Sequence, residues 1–204
     1  MSDAAAWDAR YGGGGFTFGE APNRHLEAQA WRLRPGILPG MRALAIGDGE
    51  GRNGVWLAER GLAVTAVDWS AAGLAKASAL AAARGVALRT EVADLTRWDW
   101  PAEGFDLLAW IFVHLPPADR AVVAAGAVRA LAPGGLLVLE AFRAGQEGRR
   151  SGGPADPSLL WSAALVREHF AGMEVLECLE GTVVLDEGPR HQGPGEVVRA
   201  VLRK

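Results

Sequence analysis

One cysteine, Cys178, stands among 204 residues. No disulfide can form within the chain, and a reducing compartment is expected. Neither sign of charge is in excess: 21 Lys and Arg face 24 Asp and Glu, a formal net charge of -3. A nucleic-acid or anionic-membrane surface needs a basic excess, so neither partner is expected. Four histidines are too few and too scattered for a metal cluster. No apolar run is long enough to span a bilayer. The opening MSDAAAWDARYGGGG lacks the charged-then-apolar pattern of a secretory signal. These absences predict a cytoplasmic protein, monomer or homodimer, whose partner is a small molecule. What is present is an ordinary globular composition, half hydrophobic and 22% charged, sized for one domain over 1–204.

Short apolar runs alternate with longer helical patterns. Arg42–Gly47, Ala63–Val67, Ala87–Val92, Phe105–Trp110 and Leu136–Phe142 read as strands. Helices are expected near Arg52–Arg60, Ala71–Arg84 and Asp119–Leu131, with Ser70 capping the second and Pro116-Pro117 introducing the third. Such alternation predicts an α/β fold, a parallel sheet with helices on both faces. The last third differs. Ser158–Phe170 reads as one more helix, and Glu174–Glu180, Thr182–Leu185 and Glu196–Arg203 read as strands with no helix between them. Tyr11–Glu20 and Ala144–Pro157 are Gly-rich and suited to covering a site. Residues 1–25 are therefore expected to form an N-terminal lid segment over a Rossmann-like core of 26–204.

The first strand runs into Gly47-Asp48-Gly49-Glu50-Gly51-Arg52-Asn53-Gly54, four glycines in eight positions, and a helix follows. Glycines there let the backbone turn sharply and let a ligand come close, and the free N–H groups of the helix favour a polar or anionic group. Two patterns fit. Gly49-x-Gly51-x-x-Gly54 matches the dinucleotide fingerprint, and Gly47-x-Gly49-x-Gly51 matches a methyltransferase loop. Asp68 ends the second strand, 19 residues beyond Gly49, where an acid accepts from ribose hydroxyls. Both NAD and S-adenosylmethionine carry a ribose, so Asp68 does not choose between them.

Other features favour S-adenosylmethionine. Asp94 and Leu95 end the third strand, so that Asp94 can accept from an adenine amine while Leu95 and Trp69 pack on the ring. A Pro133-Gly134-Gly135 turn precedes the fifth strand, and the chain ends in strands rather than in further βα units.

Together these residues resemble the class I S-adenosylmethionine-dependent methyltransferases over about 7–203. Trp7-Asp8-x-Arg10-Tyr11, Phe18-Gly19-x-x-Pro22-Asn23-x-x-Leu26 and Gly49-Glu50-Gly51-Arg52-Asn53 are similar to the tellurite-resistance and thiopurine methyltransferase group. The resemblance implies a seven-stranded, mostly parallel sheet of order 3-2-1-4-5-7-6 with strand 7 antiparallel. It implies that Gly47, Gly49 and Gly51 face the methionine part of the cofactor, and Arg52, next in the loop, is a further candidate cofactor-binding residue. Asp68 would take the ribose, Asp94 and Leu95 the adenine, and Trp110 would line the methyl-donor side. Tyr11 and Phe18 would close the site. Many members have an acid where this chain has Ala45, so Asp48 or the carbonyl of Trp110 is a candidate for the cofactor's ammonium.

In-line displacement on a sulfonium methyl needs positioning and water exclusion more than a base. A thiol or a tellurium or selenium oxyanion needs no strong base, whereas a phenol or amine benefits from one. His114, four residues past Trp110, is the first candidate base. His25 and His191 are the others, and Arg143 and Arg190 are candidate anion clamps for the substrate. Two readings compete with methyl transfer: an NAD(P)-dependent oxidoreductase, and a protein that binds S-adenosylmethionine without transferring its methyl.

Overall fold

The computed structural model describes residues 4–33 and 40–204. Its strands are β1 (Arg42–Ile46), β2 (Ala63–Asp68), β3 (Arg89–Val92), β4 (Phe105–Ile111), β5 (Leu131–Phe142), β6 (Glu174–Asp186) and β7 (Gln192–Arg203). They form one sheet of order β3-β2-β1-β4-β5-β7-β6. β1 pairs in parallel with β2 and β4, β2 with β3, and β4 with β5, whereas β7 runs antiparallel to β5 and β6. This is the order and the one reversed strand expected above. The helices are α1 (Ala4–Tyr11), α2 (Arg24–Ala28), α3 (Ala30–Leu33), α4 (Arg52–Glu59), α5 (Ala71–Ala83), α6 (Pro117–Ala130) and α7 (Ala163–His169).

The central strands read as continuous apolar runs because both faces of the sheet are covered. Side chains alternate across β4. Leu108 and Trp110 join a cluster with Val123 and Ala127 of α6, Val166 of α7 and Phe170 at its C-terminal end. Leu107, Ala109 and Ile111 join the opposite cluster with Leu26 of α2 and Trp56 and Leu57 of α4. All of the parallel strands thus end on the same edge of the sheet, where the glycine loop lies.

Two expectations need correction. Ser158–Phe170 is not one helix. A single 3-10 turn covers Pro157–Leu159, the chain then extends, and α7 starts only at Ala163, with Ser162 accepting from the Leu165 N–H. The cause is Trp161, 1% exposed. Its backbone N–H donates to the Phe142 carbonyl at 2.9 Å, and its indole fills the sheet-side core. The two segments Glu174–Glu180 and Thr182–Leu185 are one strand, β6, paired along its length with β7 and irregular only between Val175 and Glu177.

His25 lies on α2, with Nε2 3.4 Å from the Ala200 carbonyl. Burial pushes its pKa down from 6.5 to about 4, so the folded chain holds it neutral. Between those values the unfolded chain binds the extra proton, and stability falls as pH falls. Compared with His25→Gln, the wild type is expected to lose about 1.4 kcal/mol of stability per pH unit across that window. Urea unfolding at pH 7, 6 and 5 measures the gap, and a gap that stays constant contradicts the expectation.

Candidate active site

β1 ends at Ile46, and the backbone turns through Gly47–Gly51 into α4. Gly49 has φ +55° and Gly51 φ +90°, a region costly for side chains. A Cβ on Gly49 would lie 2.5 Å from the Tyr11 hydroxyl, and one on Gly51 would lie 2.6 Å from the Ala77 Cβ. A Cβ on Gly47 would meet Val113 Cγ2 at 2.6 Å. The loop is therefore a close-approach surface, with Tyr11 over one glycine and Val113 over another. Asp48 is buried, and both of its carboxylate oxygens accept from the Gly54 N–H at 3.1 Å. Burial raises its pKa to about 7. Its carboxylate caps α4 from within.

Asp68 ties the second strand to this loop. One oxygen accepts from the Gly49 N–H at 2.9 Å and the other from the Ser70 N–H at 2.8 Å. Burial raises its pKa against these bonds. A carboxylate offers about four acceptor positions, so lone pairs remain for ribose hydroxyls. Trp69 follows half-buried, and at the end of β3 Leu95 is buried while Asp94 is exposed. Asp94 accepts from the Thr96 N–H and hydroxyl. These groups suit an adenosyl ligand: an acid beside the glycine turn, with indole and aliphatic surfaces beyond it.

The N-terminal segment is fastened over the loop. Asp8 of α1 accepts from the Ser70 hydroxyl at 2.6 Å and the Ala72 N–H at 3.0 Å. Lys76 of α5 donates to the carbonyls of Gly13 and Gly15 and pairs with Glu50 at 2.9 Å. Glu50 also accepts from the Thr17 N–H. Trp7, Tyr11 and Phe18 pack on one another with centroids 5.3–6.4 Å apart. Burial, then the carboxylates of Asp68 and Glu50, hold the proton on the Tyr11 hydroxyl.

Past β4 the chain strains. Phe112 has φ +53°, a conformation that rarely persists outside functional sites and tight turns. Its ring meets Phe142 and His191 at 4.6 and 4.4 Å, and Phe18 lies 4.8 Å from His191. His191 is 5% exposed, and its Nδ1 has no hydrogen-bond partner among the described residues. Burial, with Arg52 nearby, lowers its pKa to about 3. His114 has both ring nitrogens engaged. Nδ1 lies 3.0 Å from the Leu159 carbonyl, and Nε2 accepts from the Phe142 N–H at 3.4 Å. Burial lowers its pKa to about 4. Trp110 is wholly buried, its indole N–H donating to the Val113 carbonyl.

The remaining candidates lie apart from this edge or are already paired. His25 faces β7. Arg190 is exposed. Arg143 pairs with Glu196 at 2.5 Å, and Glu196 also takes Arg149 at 2.7 Å, which draws the Ala144–Pro157 segment onto β7.

Sequence reading missed a buried ionic network. Glu187, in the β6–β7 turn, pairs with Arg52 at 2.8 Å, their side chains 1% and 8% exposed. It also accepts from the Asn23 amide and the Arg24 N–H. Asn23 donates to Glu140 of β5 at 2.6 Å, and its backbone N–H donates to Asn53. Glu140 in turn pairs with Arg199 of β7. One connected group therefore joins the lid segment, the glycine-loop helix, β5 and the terminal hairpin. The available signal was Glu140, an acid inside the apolar run Leu136–Phe142.

The sequence profile of the methyltransferase domain family matches residues 43–135, the span from β1 into the start of β5. Those residues carry the sequence pattern of a methyltransferase domain. S-adenosylmethionine is the cofactor such domains use, and the acid, glycine turn and apolar surfaces described above fit it. No curated protein sequence matches the chain. Among solved structures, one from work on the conversion of a disulfide bond into a thioacetal group during echinomycin biosynthesis is 22% identical. It has a TM-score of 0.79 and covers 98% of this chain and 91% of that one. TehB from Haemophilus influenzae is 16% identical with a TM-score of 0.72, over 98% of this chain and 66% of TehB. The N-methyltransferase NodS from Bradyrhizobium japonicum, in complex with S-adenosyl-L-homocysteine, is 18% identical with a TM-score of 0.65, over 89% and 86% of the two chains. Among the described residues no helix is long and apolar enough to cross a membrane, and no group of three or more His, Cys, Asp or Glu is placed to hold a metal ion.

Proposed function

We propose that this methyltransferase acts as one domain in the cytoplasm and moves the methyl group of S-adenosylmethionine to a small molecule with a soft nucleophile, such as a thiol or a selenium or tellurium oxyanion. The observation that carries the reading is the Asp68 carboxylate, hydrogen-bonded to the Gly49 N–H: one side chain joins the strand-end acid to the glycine turn. In this reading Gly47, Gly49 and Gly51 face the methionine part, Asp68 holds the ribose, and Trp69, Asp94 and Leu95 bracket the adenine. Tyr11 and Phe18 close the site under the hold of Asp8, Lys76 and Glu50. When bound, the cofactor supplies an electrophilic methyl on a sulfonium.

The chain's own contribution is positioning and exclusion of water, worth roughly 7–11 kcal/mol of barrier in favourable cases. His114 is committed at both nitrogens and stays neutral far below pH 7. The residues past β4 thus favour an acceptor that is nucleophilic without a strong base. The chemistry stated for the echinomycin structure is that of sulfur, which supports the same choice.

A titration of the melting temperature with S-adenosylmethionine, S-adenosylhomocysteine and NADH tests the cofactor. A ligand at 100 times its Kd stabilises by about 2.7 kcal/mol, and both sulfur ligands are expected to raise the melt. A shift with NADH alone returns the glycine loop to the dinucleotide reading. A screen of thiols, selenite and tellurite then tests transfer. The second reading, binding without transfer, draws support from the [4+2]-cyclase SpnF, 17% identical with a TM-score of 0.66. Its stated activity is not methyl transfer. Cofactor binding with no methylated product from any acceptor class favours it.

A further inference from the structure

Two arginines are buried in the described residues, Arg52 and Arg120. Arg52 has Glu187. Arg120, in the first turns of α6, is 2% exposed and forms no ion pair with any described carboxylate. Its Nη2 donates to the carbonyls of Leu115 at 3.2 Å and Ser158 at 2.7 Å. Its Nε is buried and has no partner among the described residues. The guanidinium lies 4.9 Å from the centroid of the Trp161 ring. A buried charge without a counterion costs several kcal/mol, and two neutral carbonyls do not balance it.

The location connects Arg120 to the methyl-transfer site. Leu115 follows Val113 and His114 in the loop after β4, and Val113 rests on Gly47. Trp110 and Trp161 both donate their indole N–H to the Val113 carbonyl. The 3-10 turn Pro157–Leu159 crosses above, held by two successive carbonyls: Ser158 on Arg120 and Leu159 on His114. Pro157 and Ser158 are exposed on its outer side. The turn therefore covers a buried cation and an aromatic wall of Trp161, Trp110 and Phe170, and two hydrogen bonds fasten it there.

We propose that Arg120 is the anchor for a carboxylate on the methyl acceptor, and that the Pro157–Leu159 turn is the strap displaced when that carboxylate binds. The proposal rests on the methyl-transfer reading and narrows the acceptor's class to a small aromatic or aliphatic monocarboxylate that carries the soft nucleophile as a thiol, rather than a free selenium or tellurium oxyanion. The Nε and one Nη of a guanidinium form the edge that grips a carboxylate with two parallel hydrogen bonds. Here Nε is unfilled, and Nη2 holds a carbonyl that an incoming oxygen can replace. A single arginine supplies a single positive charge. The neighbouring histidines, His114 and His169, are biased to the neutral form by burial. A monoanion therefore balances the site, and a dianion would leave a net charge in it.

Trp161 provides the readout, because its ring lies against the guanidinium. Tryptophan fluorescence is titrated with benzoate and, separately, with the uncharged benzamide, with Trp161→Phe as the control for the signal. Wild type is expected to show a saturable change with benzoate and none with benzamide. Arg120→Gln is expected to weaken benzoate by at least about tenfold, the loss of one charge-assisted hydrogen bond. Arg120→Lys, which keeps the charge but not the two-pronged edge, should fall between. Equal responses to the two probes in wild type, or no saturable response, overturn the proposal without any variant, so misfolding of Arg120→Gln cannot protect it. The same preparations are melted with S-adenosylhomocysteine. A retained melting shift with no benzoate response removes the carboxylate anchor alone. Benzoate binding with no cofactor shift removes the methyl-transfer reading instead.

Discussion

Asp68→Ala is expected to weaken S-adenosylmethionine binding by about a hundredfold, near 3 kcal/mol, when measured by calorimetry or by the melting shift. The carboxylate does two things. It orders the glycine turn through the Gly49 N–H and the start of α5 through the Ser70 N–H, and in the proposed complex its remaining lone pairs accept from the ribose. Each hydrogen bond to a charged group is worth about 1.5–3 kcal/mol, so the ribose contacts alone reach the stated loss. Ligand chemistry separates the two roles. An analogue lacking both ribose hydroxyls is expected to bind wild type and variant with the same affinity if the loss lies in direct contact. If the analogue also loses a hundredfold, Asp68 acts by shaping the loop. Unchanged affinity for the parent cofactor would sink the ribose assignment altogether.

Asp68 was legible in the sequence because its signal is local: an apolar strand, an acid at its end and a fixed distance from a glycine turn. The strands of the parallel half were legible for the same reason. Each is a short apolar run bounded by turn residues, and the cover on both faces keeps the run unbroken. The strand order came from the resemblance, since nothing in a run such as Ala63–Val67 names its neighbours. The segment Ser158–Phe170 was misread because a helical pattern of apolar residues does not reveal that one indole, Trp161, will leave the helix to fill the sheet-side core. Glu187 was illegible. In the sequence it is one acid in the loop Asp186-Glu187-Gly188-Pro189-Arg190, and its partners lie 135 and 164 residues away. Charges in loops are surface charges by default. Only the fold, by closing the terminal hairpin onto the lid segment, turns this one into an internal ion.

That internal ion carries the largest stability effect expected in the chain. Glu187→Ala leaves Arg52 buried without its counterion and removes the acceptor from the Arg24 N–H, while the Asn23 amide keeps only Glu140. Breaking one side of a buried pair costs about 3–5 kcal/mol, which for a domain of this size lowers Tm by roughly 6–20 °C. The loss is expected to reach the site as well. Gly188 packs directly against the backbone of Phe18 and Gly19, so releasing the hairpin turn frees the lid segment, and protease cleavage within Gly12–Gly15 should quicken. The cost belongs to the orphaned arginine and not to the missing contact, so the double variant Glu187→Leu, Arg52→Met should recover most of the Tm, as apolar replacements of buried ion pairs often do. It should not restore protection of the lid, because the Arg24 N–H still lacks its acceptor and the Asn23 amide still has Glu140 alone. Additive losses in the double variant, or a fall in Tm of less than about 2 °C in Glu187→Ala, would show that the hairpin and the glycine-loop helix are not coupled through this pair.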